Sequence, residues 1–272
     1  GTLDPMATGV LVLAIGEATK LVPYLMTSDK RYEAEVTLGS ETDTLDARGT
    51  ETRRAAVPED LTESSVACAL ASFGAGYEQE APVVSALKKD GRSLHARVRA
   101  GETVEAPVRH VEIHSLALRS FDGQRIRLDV HSGKGFYVRS LARDLASRLG
   151  TVGHLSALRR TASGPFAVDA CVDGEALREA ANAAERRESV HRALLSLEEA
   201  TRFMPTLTLG EQGTADAFHG RPLMPSSFEA AGEPPRAGVS VRMLDPAGRL
   251  VAIGALSDDG RARVVRGFRG GE

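Results

Sequence analysis

Residues 10–15, Val-Leu-Val-Leu-Ala-Ile, form an unbroken apolar run, which predicts a buried strand. Glu17 then opens a short helix that Pro23 shortens or bends. From Arg31 to Leu38 the pattern changes: Tyr32, Ala34, Val36 and Leu38 alternate with Arg31, Glu33, Glu35 and Thr37. That period of two belongs to a half-buried strand with Tyr32 at the start of its apolar stripe. Glu63–Phe73 reads as a helix, and 108–118 and 125–131 read as strands joined by the turn Phe121-Asp122-Gly123-Gln124. A glycine-rich turn, Ser132-Gly133-Lys134-Gly135, leads into a helix with Val138, Leu141, Leu145 and Leu149 on one face and Gly150 as its stop.

Beyond residue 175 the character shifts. The Ala-, Glu- and Arg-rich stretch 176–200 predicts helices packing near the end of a large domain. From Phe203 the chain reads as a separate small unit: short strands at 239–244, 250–256 and 263–266, the turn Asp245-Pro246-Ala247-Gly248, and a Pro- and Gly-rich loop at 226–238 suit a small barrel.

Composition narrows the function classes. A chain of 272 residues, 42% hydrophobic and 26% charged, buries a full core and leaves room for a large and a small domain. Cys68 and Cys171 lack the spacing of a zinc site or a disulfide framework and read as reduced, structural residues. No apolar stretch is long enough for a membrane helix and no targeting segment opens the sequence, so a cytoplasmic setting is expected. The net charge of -3 argues against a nucleic-acid partner until its distribution is considered. Lys88, Lys89, Arg92, Arg97 and Arg99 face one acid, Asp90, and Lys134, Arg139, Arg143, Arg148, Arg159 and Arg160 face only Asp144, so two basic surfaces fit within a slightly acidic whole.

Three groups of residues offer chemistry. Gly133-Lys134-Gly135 lacks the spacing of a phosphate-wrapping loop, which disfavours a nucleoside triphosphatase. Asp43 and Asp46 read as a solvated turn or cap rather than a hydrolytic pair. Asp4, in a turn of Gly, Pro and Thr beside an apolar run, joins Tyr32, Tyr137 and Arg139 in a set suited to holding a flat ring against an ionised nucleophile.

Four ordered stretches, "GTLDPMATGVLVLAIGEATKLVPYL", "SDKRYEAEVTLGSETDTLDARG", "APVVSALKKDGRSLHARVRAG" and "GKGFYVRSLARDLASRLGTVGHLSALRRTASGPF", resemble the successive motifs of the TruB family of bacterial tRNA pseudouridine-55 synthases. The resemblance implies an α+β fold, a pseudouridine-synthase-like mixed or antiparallel sheet flanked by helices, over residues 1–202. It also implies an RNA-binding insertion near 78–106 and a PUA-like β-barrel over 203–272. It implies that Asp4 is the catalytic aspartate, Tyr32 the aromatic neighbour of the target uracil and Arg139 the basic partner of Asp4. Tyr137, Lys20 and Leu158 would line the pocket, while Lys88, Lys89, Arg92, Arg97, Arg99, Arg159 and Arg160 would meet RNA. Family members begin earlier, with a strand, a helix and a Gly-His-Thr run ahead of Gly1, so this chain is expected to be a fragment.

The implied reaction cleaves the glycosidic bond of uridine 55 in the tRNA T-loop, turns the base and rejoins it through C5. It implies no cofactor, no metal, no membrane and a monomer with tRNA as partner. A guanidinium beside the aspartate would keep it ionised in a dry pocket. A non-catalytic module that grips and refolds the tRNA elbow remains the alternative at this point.

Overall fold

The computed structural model describes residues 2–83, 88–89, 92–93, 106–180, 182–230 and 235–268. The first part of the chain holds strands β1 (Thr8–Gly9), β2 (Lys30–Leu38), β3 (Ser40–Thr42), β4 (Glu51–Arg54), β5 (Gly76–Glu80), β6 (Lys88–Lys89), β7 (Arg92–Ser93), β8 (Val108–Phe121), β9 (Arg125–Ser132), β10 (Gly153–Ser163) and β11 (Phe166–Ala167). Its helices are α1 (Val22–Leu25), α2 (Glu63–Ala71) and α3 (Val138–Arg148). The main sheet runs β1-β10-β2-β9-β8-β5, with β11 also on β10. Only β1 runs parallel to its neighbour β10; the other pairs are antiparallel.

The alternation in β2 does what its period requires. Ala34, Val36 and Leu38 are buried, whereas Arg31 and Glu33 are exposed. Ile126, Leu128 and Val130 of β9 continue the same layer. Onto it pack Leu141, Leu145 and Ala146 of α3, Val66 and Leu70 of α2, and Leu155 and Leu158 of β10, forming one core. Each such large side chain contributes about 1.5–3 kcal/mol by leaving water. The β8–β9 hairpin closes at Asp122, whose Oδ1 accepts from the N–H groups of Gln124 and Arg125, and Gly123 takes the left-handed backbone that the turn needs.

The apolar run 10–15 departs from expectation. The strand there spans only Thr8–Gly9, Val10 is buried, and Leu13 and Ile15 are 77% and 68% exposed. The ladder to β10 has only the pairs Thr8↔Arg159 and Gly9↔Arg160. An apolar run records affinity for a core without saying whether the chain still follows its neighbour. Both cysteines are free, as expected of reduced thiols, and both are exposed.

Contacts divide the chain into two compact units. Residues up to Val12 with Pro23–Cys171 form the first, and Leu13–Val22 with the residues from Val172 onward form the second. The second unit therefore begins well before position 203. It contains α4 (Gly174–Glu179), α5 (Ala183–Ala193), α6 (Leu197–Ala200), β12 (Thr206–Leu209), α7 (Glu211–Phe218), β13 (Phe228–Ala230), β14 (Ser240–Leu244), β15 (Leu250–Leu256) and β16 (Ala262–Gly267). Helices form within 176–200 as expected, yet α4, α5 and α6 bury no residue. The strands order as β13-β12-β14-β15-β16 around a core of Leu207, Leu209, Leu223, Val241, Met243 and Ala252. Part of the 226–238 loop thus pairs as the edge strand β13.

Candidate active site

Asp4 sits in a tight turn, its carbonyl accepting from the Ala7 N–H at 2.9 Å, a few residues before the chain meets β10. Gly9 makes that approach possible. Its left-handed backbone runs so close to the Arg160 carbonyl that a Cβ there would collide with the strand. The Val10 N–H then donates to the same carbonyl at 2.9 Å. The turn is thereby fixed to the edge of the sheet.

Arg139 arrives from another element, the first turn of α3, and its side chain is only 6% exposed. Its Nε donates to Asp4 Oδ2 and its Nη2 to Asp4 Oδ1, both at 3.1 Å. The two-pronged geometry is the one a planar guanidinium makes best with a carboxylate. Nη1 donates to the Thr44 carbonyl at 2.9 Å.

A second carboxylate completes the group. Asp46 is 5% exposed and its Oδ2 stands 3.8 Å from Arg139 Nε. Its Oδ1 accepts from Thr44 Oγ1 at 2.8 Å and from the Arg48 N–H at 3.0 Å. The loop is bent for this purpose: Leu45 has φ of 61°, and its carbonyl accepts from the Leu155 N–H of β10. The solvated turn expected at 43–46 is therefore corrected for Asp46. A buried carboxylate needs partners, and this loop supplies them.

Tyr32 lies on the inner stripe of β2 opposite Arg160 of β10. Burial pushes its phenol above the ordinary range and the charge of Asp4 pushes the same way, whereas Arg160, through its charge and a hydrogen bond, pulls it down. The resemblance implies an RNA-facing Arg160, but the side chain is buried, with the residue 4% exposed. Its Nε donates to the Val10 carbonyl at 2.7 Å and its Nη1 to the Thr2 carbonyl at 3.2 Å. It holds both ends of the Asp4 turn. Strand alternation explains the difference from its neighbour Arg159, which points to the opposite, exposed face.

Tyr137, the residue capping α3, is held by a side chain that sequence reading passed over. Gln79, fully buried, accepts from the Tyr137 N–H at 2.8 Å and donates to its carbonyl at 3.1 Å. The same amide donates to Tyr77 Oη, which donates to Asp144 of α3 at 2.9 Å. Gln79 thus sets the start of the helix that carries Arg139. Leu158 joins the core beside Met6 and Tyr32, and it lines a groove of about 640 Å³ with Met6, Thr8, Glu35, Arg127 and Arg159. Lys20 belongs to the second unit, where its ammonium meets Glu17 at 2.6 Å and the Gly267 carbonyl at 2.9 Å. Of the basic cluster, Arg97 and Arg99 lie outside the described residues, and Lys88, Lys89 and Arg92 are described only as the paired strands β6 and β7.

The site therefore unites Asp4, Arg139, Asp46, Tyr32 and Arg160 from three separate stretches of sequence. Asp46 and Arg160 lie within the second and fourth family-like stretches and Gln79 just ahead of the third, but the local pattern around each does not announce these contacts. Asp46 follows a Thr-rich turn, and Arg160 shows only the alternation of its strand.

Comparison with known proteins gives the fold and the family. Two solved structures described as an H/ACA RNP bound to a substrate RNA containing 2'-deoxyuridine and as a Cbf5-Nop10-Gar1 complex superpose with TM-scores of 0.75 and 0.74. They share 20% and 23% sequence identity with the chain, covering 99% of it and 75% and 74% of their own chains, so the shared property is the fold. Curated proteins named tRNA pseudouridine synthase B from Xanthomonas axonopodis pv. citri (strain 306) and Xanthomonas campestris pv. campestris (strain 8004) are 38% and 40% identical over 270 residues. Those alignments cover 99% of this chain and 84% of each relative. Residues 139–202 match the tRNA pseudouridylate synthase B C-terminal domain, and residues 1–138 match the TruB family pseudouridylate synthase N-terminal domain. The chain belongs to the TruB family of pseudouridylate synthases.

Proposed function

We propose that this protein converts uridine to pseudouridine in tRNA, acting at position 55 of the T-loop with Asp4 as its reactive carboxylate. The observation that carries the reading is the two-pronged bond from the buried Arg139 to Asp4. The chemistry demands a carboxylate that stays anionic where water is scarce, because water would divert the detached base. Burial alone favours the protonated acid, and an adjoining guanidinium reverses that preference. Asp46 matters here as well, since it gives Arg139 a second counter-charge and a fixed position. A base must leave its stack to reach such a group, and the face of Tyr32 offers roughly 1–3 kcal/mol of stacking to receive it.

The stretch that follows β5, up to about residue 106, and the exposed Arg159 are assigned to the RNA backbone, and residues 203–272 to a PUA-like RNA-binding role. The reading takes the enzyme to work on tRNA in the cytoplasm as a monomer; no helix among the described residues is long and apolar enough to cross a membrane.

The test incubates the protein with an unmodified tRNA transcript and maps pseudouridine. Product at position 55 with wild type, none with Asp4→Asn, and tRNA affinity within a few fold for both is the expected result. Binding by wild type without product would support the elbow-gripping module instead. Product at another uridine would overturn the position.

A further inference from the structure

We infer that Asp29, His114 and His131 form a binding site for a divalent transition-metal ion of the zinc class. Three neighbouring strands bring them together. Asp29 immediately precedes β2, His131 lies on β9 opposite Arg31, and His114 lies on β8.

His114 reaches the group through an irregularity in the ladder. Ile113 pairs with Ser132 and Ser115 with His131, which leaves His114 as the extra residue of a bulge. Bulges redirect side chains, and this one sets the two imidazoles side by side, with ring centres 4.6 Å apart and planes tilted by 55°.

The donor geometry suits a metal. His114 Nε2 stands 3.3 Å from Asp29 Oδ1, and His131 Nε2 stands 3.4 Å from Asp29 Oδ2. Ligand bonds of about 2.0–2.1 Å arranged as a tetrahedron require donor separations of roughly 3.3–3.4 Å. The two distances run to different oxygens of Asp29; one ligand atom from each residue lies within 4.8 Å of the other two, so small rotations of the carboxylate and the rings bring the three donors to that separation. Two imidazoles and one carboxylate make a borderline set that prefers Zn²⁺, Ni²⁺ or Cu²⁺ to Mg²⁺ or Ca²⁺. The carboxylate is half exposed, so an ion can enter from solvent and keep a fourth position for water.

An ion there would join the entry of β2 to β9 and β8 at a point three residues before Tyr32. Nothing in the isomerisation chemistry uses it, so its test needs no activity assay. The full chain, freed of any affinity tag, is titrated with ZnCl₂ in a calorimeter. One ion per chain is expected, with affinity falling about tenfold or more in His114→Gln, His131→Gln and Asp29→Asn, and unchanged in the control His191→Gln. Zn²⁺ should raise the melting temperature of wild type and leave that of His114→Gln unmoved. Absence of saturable binding, or equal affinity in wild type and His114→Gln, would overturn the proposal.

Discussion

On the helix-covered side of the main sheet, Arg139 and Arg160 are 5% and 4% exposed and are bonded to the turn that carries Asp4. On the open side, Arg127 makes an equally short bond to Glu35, 2.9 Å, yet its side chain is 63% exposed. The bond lengths barely differ; the surroundings do. Water and salt screen the outer pair, whose partners lose little when separated, whereas an inner guanidinium stripped of its carboxylate has nowhere to discharge its field. A substitution in the inner pair is therefore expected to cost both stability and the proposed activity, and one in the outer pair to leave the site untouched.

The sharpest way to break that contrast is a cycle on the inner pair. Arg139→Leu should abolish pseudouridine formation and cost on the order of 3 kcal/mol of stability, because it leaves Asp4 and Asp46 facing each other without their shared cation. Asp4→Asn should abolish turnover at smaller structural cost. Urea unfolding of wild type, both single variants and the double variant should show non-additivity, with the double variant recovering part of the Arg139→Leu loss. Strict additivity would mean that the two residues act independently.

The neighbours Arg159 and Arg160 sharpen the comparison within one strand. Arg160→Met should destabilise the protein by about 2 kcal/mol through the lost carbonyl bonds. It should also move the Tyr32 phenol further up, since Arg160 is what opposes the effect of burial there. An absorbance titration with Tyr32→Phe as reference reads that shift. Arg159→Ala should leave stability within about 0.5 kcal/mol. If Arg159 meets a phosphate, its loss should lower the salt dependence of tRNA binding by a slope of about 0.7–0.9. Identical behaviour of the two variants would erase the distinction between the faces.

The smallest effect is expected on the open side. Arg127→Ala should cost about 0.2–1 kcal/mol at low salt and nothing measurable at high salt. The hydrogen bond from Arg127 holds the Glu35 carboxyl below its ordinary range. Its contribution is therefore present above the ordinary carboxylate range and fades as pH falls through the lowered value. Thermal melts across the acid range should show that dependence in wild type and its loss in Arg127→Ala. A larger loss of stability would place this pair in the same class as the inner one.

Local rules acting on the sequence determined much of this protein. Period-two alternation placed β2 and its Tyr32, the 3.6-residue stripe of Val138, Leu141 and Leu145 placed α3, and Asp122-Gly123 placed the hairpin, because each depends on neighbours a few residues away. The motifs singled out Asp4, Tyr32 and Arg139 for the same reason, being short and ordered. What only the tertiary structure decided is which charges are buried together. Arg139 meets Asp4 across 135 positions and Arg160 meets Thr2 across 158, separations over which no periodicity operates. Asp46 reads as a loop acid until Leu155 of β10 takes up its loop, and 10–15 reads as a strand until the ladder to β10 ends. Burial is a property of the assembled layers, and in this protein it is the buried guanidinium of Arg139 that sets Asp4 apart from the carboxylates of the open face.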